Sequence, residues 1–502
     1  MSMEKNTMNP DHPRRIVIAG GGTAGWMAAA ALSKTFGECI DLTLVESEQI
    51  GTVGVGEATI PPMIIFHRLL GISESDFMRA TKATFKLGIA FENWKEKDHR
   101  YFHSFGKTGK DHWSCGFQHF WLDGLARGHN QSYDDYCLEL VSAEENKFAH
   151  LPDEGMSYAY HLDSSAYAKF LRGFSEENGA KRIEGKISSV NLHAETGAIS
   201  SLTLESGETV EGDIFVDCTG FRALLIGDAL GTGYDDWSDE LPCNRAIAIQ
   251  TQSVGNPVPY TRSMAHDAGW QWRIPLQHRT GNGLVYCSDY LDEDQALERL
   301  LGNIEGETLR DPNFIKFTTG ARKKQWVKNC VAVGLSSGFM EPLESTSIHL
   351  IQRNVLRLIR MMPFGEIHQT DIDEFNQQAE LDMDTIKDFL VLHYVANNRT
   401  EPFWERCRNT KISDKLKHRI ELFRETGRAF RQSDELFAEN SWIQVMMGQG
   451  IMPKSYHPLA TKMRDDEVEY LLSSIRKQVS KTVNALPTHH DYVRQYCGAA
   501  DV

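Results

Sequence analysis

The chain has no Cys-x-x-Cys pair, and its nine cysteines stand singly along 502 residues. That spacing excludes a zinc ribbon and a disulfide framework, so no metal site is expected and the thiols read as core filler in a reduced, cytoplasmic protein. Positive charge is also short. Lys and Arg number 53 against 69 Asp and Glu, a net charge of −16, which argues against nucleic acid and anionic membrane as primary partners. The longest apolar stretch, Ile16 to Leu32, is broken by four glycines, so no membrane span is expected. Met1 to Arg15 is polar and has no apolar centre, unlike a signal peptide. Repeats, low-complexity tracts and flexible linkers are missing as well. What the chain does have is a 41% hydrophobic composition with 24 Phe and 10 Trp. These suffice for a large core and for a ring-lined pocket.

Arg15 to Ala19 is a β-branched run of the kind that forms a buried parallel strand, and it leads directly into Gly20-Gly-Gly-Thr-Ala-Gly25. A helix pattern follows from Trp26 to Lys34, then a second strand pattern, Ile40 to Val45, ending in Glu46. Strand, glycine turn, helix, strand and acid in this order are the sequence form of a dinucleotide-binding unit. Gly20 permits the tight turn, Gly22 lets backbone approach a pyrophosphate, and Gly25 lets helix and strand close up. The helix start offers free N–H groups to phosphate, and Glu46 is placed for a ribose hydroxyl. A glycine turn that merely packs is the plain alternative.

Farther along, Asp213 to Gly220 reads as a buried strand ending in Thr-Gly, after alternating strands from Ile183 to Val210. Cys330 to Gly334 is another short strand, running into a hydroxyl-rich helix start at Ser345, Thr346 and Ser347. Such a start has good N-cap chemistry and can hold an anion. Residues 240–320 look antiparallel, and from about Asp371 the chain reads as packed helices. The expected fold is α/β: an FAD-binding, Rossmann-like module over 1–100 and 155–365, interleaved with a mainly helical substrate module over 101–154 and 366–502.

Taken together, the glycine unit, the Asp/Thr-Gly strand and the late strand-to-helix turn resemble the FAD domain of hydroxybenzoate-hydroxylase-type monooxygenases. In those, Gly-Asp usually follows the late strand, whereas here Gly334 precedes Leu335. Gly269-Trp-Gln-Trp-Arg-Ile-Pro275 resembles the Trp-x-Trp-x-Ile-Pro signature of flavin-dependent tryptophan halogenases. Four further segments agree in order with that family: Gly20 to Trp26, Gly54-Val-Gly-Glu-Ala-Thr59, Phe85 to Ile89 with Asn93-Trp94, and Glu341-Pro-Leu-Glu-Ser-Thr346.

The resemblance implies a two-component enzyme. FADH2 from a separate NAD(P)H-dependent flavin reductase reacts with dioxygen to a flavin hydroperoxide, chloride or bromide is oxidised to hypohalous acid, and an electron-rich arene is halogenated. It implies that Lys86 holds or captures the hypohalous acid and that Glu344 assists by stabilising the cationic arene or taking its proton. Trp270 and Trp272 form the wall between flavin and substrate. Alone, two Trp one residue apart read as a strand with one buried face, and Lys86 as a snorkelling lysine. Gly20, Gly21, Gly22, Thr23, Ala24, Gly25, Glu46, Ala58 and Leu335 are the implied cofactor contacts. Thr346 and Ser347 match the halide site, where the family usually has Gly at the second position; Ser lacks that residue's φ freedom. His103, Phe105 and Trp442 are the implied arene walls. Free-tryptophan binders carry adjacent tyrosines and a glutamate in the C-terminal region, but Ser441 to Pro453 has neither. Indole or an indole derivative is therefore the expected small aromatic substrate, and a homodimer the assembly carried alongside. The competing readings are an aromatic hydroxylase and a redox-inactive FAD-binding protein.

Overall fold

A computed structural model describes residues 12–51, 56–152, 155–432 and 434–498. Gly54 and Val55 of the Gly-Val-Gly-Glu segment lie outside them. A six-stranded sheet is built on Arg14–Ala19, which pairs in parallel with Ile40–Glu46 on one side and Ile214–Asp217 on the other. Lys181–Glu184 extends it at one edge, Cys330–Ala332 and the antiparallel Trp326–Val327 at the other. Ile16 to Ala19 are buried, as a central parallel strand covered on both faces requires. Helix Thr23–Phe36 covers one face; its alanines 28–31 have no exposed surface, and their small side chains let Ser164–Glu177 and Ser347–Arg360 pack close.

The antiparallel region forms a seven-stranded sheet in the order 313–316, 245–251, 280–286, 269–275, 261–266, 88–92, 100–104. The strands read between Ile183 and Val210 pair mainly as a separate three-stranded sheet. From Gln369 onward the described chain is helical, apart from turns and loops and an isolated bridge at Thr488. These helices share one apolar core with the seven-stranded sheet, in which Trp94, Trp270, Phe389, Trp404 and Trp442 meet. The expected boundary between residues 100 and 101 runs through strand Arg100–Ser104, which hydrogen-bonds along Gly88–Glu92. The sheet, not a helical module, therefore delivers His103. All nine cysteines are free and eight are buried. No helix among the described residues is long and apolar enough to cross a membrane.

Candidate active site

The glycine turn closes on itself for steric reasons. Gly20 has φ of 105°, and a Cβ there would meet the Cys218 carbonyl oxygen at 2.3 Å. A Cβ on Gly21 would lie 1.5 Å from Glu46 Oε2, and one on Gly25 would lie 1.9 Å from the Gly20 oxygen. Glu46 is held from behind, accepting from Arg182 Nε at 2.6 Å and Trp26 Nε1 at 3.3 Å. Gly22 caps the following helix without a side-chain hydrogen bond, which leaves N–H groups for phosphate. From this cradle a cavity of about 750 Å3 runs past Glu46 and Ala58 to Leu335, Trp270, Trp272, Ser345 and Ser347. Its size and cradle fit FAD. Gly20, Gly21, Gly22, Thr23 and Ala24 line the cavity directly, whereas Gly25 serves the turn. Trp270 and Trp272 share one face of their strand by its period of two, and Gly283 opposite leaves space for the Trp272 ring.

Lys86 ends a three-residue strand, Thr84–Lys86, which pairs with Ala159–Asp163; Gly56–Ala58 pairs on the other side. That sheet brings Lys86 Nζ within 3.2 Å of the Thr59 carbonyl. Leu87 then passes the chain into Gly88–Glu92 beside Arg100–Ser104. A Cβ on Gly88 would sit 2.4 Å from the His103 oxygen, so this glycine allows the close approach of the two strands. Phe105 N–H donates to Leu87 O at 2.9 Å, and its ring centroid lies 5.1 Å from Lys86 Nζ. Lys86, His103 and Phe105 thus converge through backbone pairing.

The turn at 341–347 comes to the same place from the six-stranded sheet. Ser345 adopts φ of 59° and accepts from Lys86 Nζ at 2.7 Å. Thr346 is the N-cap of Ser347–Arg360 and makes no side-chain cap bond, so the first N–H groups of that helix are free of a side-chain partner. The left-handed residue is Ser345, not Ser347. Ser347 sits in ordinary helical geometry, and the expected loss of glycine freedom there does not arise. Ser347 faces the cavity while Thr346 is buried beside it.

The two titrating groups at the centre are both pushed down, Lys86 towards its neutral form and Glu344 towards its charged one. Burial lowers the Lys86 ammonium to about 7, despite the opposing field of Glu344. No carboxylate lies within salt-bridge distance of it among the described residues. Burial would raise Glu344, but His103 Nδ1 at 2.8 Å and His393 Nε2 at 2.7 Å grip its two oxygens and bring it down to about 2. Tyr101 OH completes the chain at 2.8 Å from His393 Nδ1.

The rings gather less simply than expected. His103 meets Phe389 at 5.4 Å and Phe437 at 6.1 Å, and those two phenyls stack at 3.7 Å. Trp442 stands one ring behind, edge-on to Phe389 at 4.8 Å. Its other neighbour is the Arg419 guanidinium, 4.0 Å above the ring and bound to both oxygens of Glu435. Sequence reasoning missed Ser345, Thr59, Tyr101, His393, Phe389 and Phe437. The hydroxyl run at 345–347 hinted at the first as cap chemistry, Thr59 closes the segment that starts at Gly54, and Tyr101 opens the ring-rich run Tyr101 to Gly106; His393, Phe389 and Phe437 carry no local signal.

Comparison with known proteins agrees with this geometry. The tryptophan halogenase family matches residues 15–465. A solved flavin-dependent halogenase from Xanthomonas campestris is 57% identical with a TM-score of 0.96, over 98% of this chain and 99% of that one. BrvH, a flavin-dependent halogenase from Brevundimonas sp. BAL3, is 41% identical with a TM-score of 0.93, over 97% and 100%. Tryptophan 6-halogenase SttH from Streptomyces toxytricini is 34% identical over 97% of this chain and 98% of its own. A glycine-cradled dinucleotide cavity, two tryptophans in its lining and likeness along nearly the whole length lead to one assignment: the chain belongs to the tryptophan halogenase family, and it is a flavin-dependent halogenase that uses FAD and halide.

Proposed function

We propose that the enzyme halogenates a small electron-rich arene, indole or an indole derivative, with Lys86 carrying the oxidised halogen. FADH2, renewed by a separate flavin reductase, would when bound activate dioxygen, the oxidant that converts halide to hypohalous acid. The chain's own residues do the rest. The cradle from Gly20 to Gly25, with Glu46, Ala58 and Leu335, holds the cofactor. Thr346 and Ser347 hold chloride or bromide at the free helix start. Trp270 and Trp272 keep the arene away from the flavin and leave passage to Lys86 for a small oxidant. His103, Phe105 and Trp442, joined by Phe389 and Phe437, bracket the arene. For this reading the cavity-lining residues of 1–100 and 155–365 act as one discontinuous module against the substrate module of 101–154 and 366–502.

The observation that carries the proposal is the state of Lys86. It is fully buried, depressed to about 7 and, among the described residues, hydrogen-bonded to the neutral oxygens of Thr59 and Ser345. Near neutral pH a large share of it is free amine, able to accept electrophilic halogen through its lone pair. Glu344, ionised and fixed on the turn that carries Ser345, stabilises the arene cation that follows. Its grip by two imidazoles makes it a weak base, so it acts chiefly through charge. The substrate class rests on the ring cluster and on the ion pair behind Trp442, which closes on itself and offers no free charge to an amino-acid zwitterion. The test supplies reductase, FAD, NADH, indole and either halide, and reads product by mass spectrometry. Halogenated indole is expected; turnover of flavin with no halogenated arene across a broad panel sinks the reading. A hydroxylated product carrying oxygen from dioxygen would select the hydroxylase instead.

A further inference from the structure

The same turn carries a second buried glutamate that this chemistry leaves unused. Glu341 has no exposed surface. Its Oε2 accepts from Trp270 Nε1 at 2.7 Å and from Tyr394 OH at 2.5 Å, while Oε1 is buried without a hydrogen-bond partner. No cation lies within ion-pairing distance of it among the described residues. A carboxyl used on one oxygen only, in apolar surroundings, is a costly way to fill space. It does connect the wall of the flavin cavity to the long helix Gln369–Val395.

That helix grips both glutamates with consecutive residues: His393 holds Glu344 and Tyr394 holds Glu341. Successive helix positions diverge by about 100°, which lets one turn of helix reach two ends of the short 3-10 segment Pro342–Glu344. The gripping side chains are themselves caged. Phe91 stacks on His393 at 4.6 Å, and Trp94 stands edge-on to Tyr394 at 5.4 Å, with Trp404 stacked on the tyrosine at 5.7 Å. Such packing fixes the rotamers that a positioned site requires.

We infer that Glu341 and Tyr394 are positioning residues for the wall: they fix the Trp270 indole by its N–H while the neighbouring His393 fixes Glu344, so that wall and oxidant-handling turn are set by one piece of helix. The inference rests on the proposed role of Trp270 as a barrier. Free rotation of the indole about its χ2 would open or close the space between flavin and Lys86, and the hydrogen bond removes that freedom. The role needs an acceptor at 341, not a charge. Burial pushing the Glu341 carboxyl up to about 7 is in keeping with that.

The experiment measures halogenated indole formed per FADH2 oxidised by the full-length enzyme with reductase and bromide. Escaped hypobromous acid is read by a dione scavenger in the bulk solution, and FAD affinity is measured alongside. Glu341→Gln, which keeps an acceptor for both donors, is expected to hold coupling within about twofold of wild type. Tyr394→Phe is expected to lower it about threefold to tenfold, as loss of one hydrogen bond implies, and Glu341→Leu to lower it further. In both, escaped oxidant rises while FAD affinity and the FADH2 oxidation rate hold, which a merely structural defect would not produce. Where Glu341→Leu binds no FAD, Tyr394→Phe, which keeps the ring in its cage, is the deciding variant. Wild-type coupling in Tyr394→Phe and Glu341→Leu overturns the inference. So does a loss in Glu341→Gln as large as in Glu341→Leu, which would make the charge itself the agent. An inactive wild type would sink the proposed function instead. The hydrogen bond is then read directly, as a shift of the Trp270 indole Raman band in Glu341→Leu but not in Glu341→Gln; no shift in either overturns the inference.

Discussion

Glu341 and Glu344 lie three residues apart on one turn, both buried, and they are held in opposite states. Glu341 receives two neutral donors on one oxygen and is pushed up to about 7. Glu344 receives one imidazole on each oxygen and is brought down to about 2. Burial acts on both; what separates them is whether the donors can carry charge. The Trp270 side of the turn therefore tolerates a neutral acceptor, while the Lys86 side keeps a negative charge near a lysine that has no ion-pair partner among the described residues. One short segment thus supplies a spacer in one direction and a field in the other.

Removing the lysine tests the contrast hardest. Lys86→Met is expected to abolish arene halogenation, by at least roughly a thousandfold, while flavin oxidation continues. Because a costly buried ammonium disappears, the melting temperature is expected to hold or rise by a few degrees. Unchanged halogenation would remove Lys86 from the chemistry. The same conservative change at the two glutamates is the next strongest comparison. Glu344→Gln is expected to reduce halogenation roughly a hundredfold by deleting the fixed charge, whereas Glu341→Gln is expected to leave it nearly intact. Equal losses at both positions would dissolve the distinction.

A smaller effect separates amine from ammonium at Lys86. Its free-amine fraction grows as pH rises through about 7, so single-turnover halogenation of indole by preformed oxidant should rise across that point and level off above it. Glu344 stays ionised throughout this range and adds no second inflection. A rate that falls through the same point would assign the ammonium form, donating to the oxidant's oxygen, as the working species.

The parts of the molecule that the sequence made legible are those fixed by backbone. The strand, glycine turn and helix from Arg14 to Phe36 are local, and Gly20, Gly21 and Gly25 each answer a clash a side chain would make. Trp270 and Trp272 fall on one face because a strand alternates. His393 and Tyr394, by contrast, sit near the end of a long helix with no motif, and meet their glutamates across 49 and 53 residues of chain. Phe389 and Phe437 likewise join the ring of His103 through tertiary packing alone. The family resemblance located Lys86 and Glu344, but not that the serine between Glu344 and Thr346 is the lysine's partner. That depends on the left-handed turn at Ser345, which no residue type there announces.

The smallest expected effect is on stability, and its sign differs for the two glutamates. Glu341 has a raised folded pKa, so between its unfolded value near 4.5 and about 7 the folded state binds more protons than the unfolded one. Stability from this group is present below that window and is lost as pH rises through it. Glu344 has a depressed folded pKa, so its contribution is present above about 4.5 and is lost as pH falls toward 2. Thermal melts across pH should therefore show Glu341→Gln gaining on wild type between about 4.5 and 7, by at most a few kcal/mol at about 1.4 kcal/mol per pKa unit. Glu344→Gln should be destabilised relative to wild type by an amount that shrinks as the pH falls below 4.5. A Glu341→Gln difference that stays flat through the upper window would mean that Glu341 is already ionised in the folded enzyme. Its grip on Trp270 would then be a charged one, and the two glutamates would differ in geometry and not in protonation.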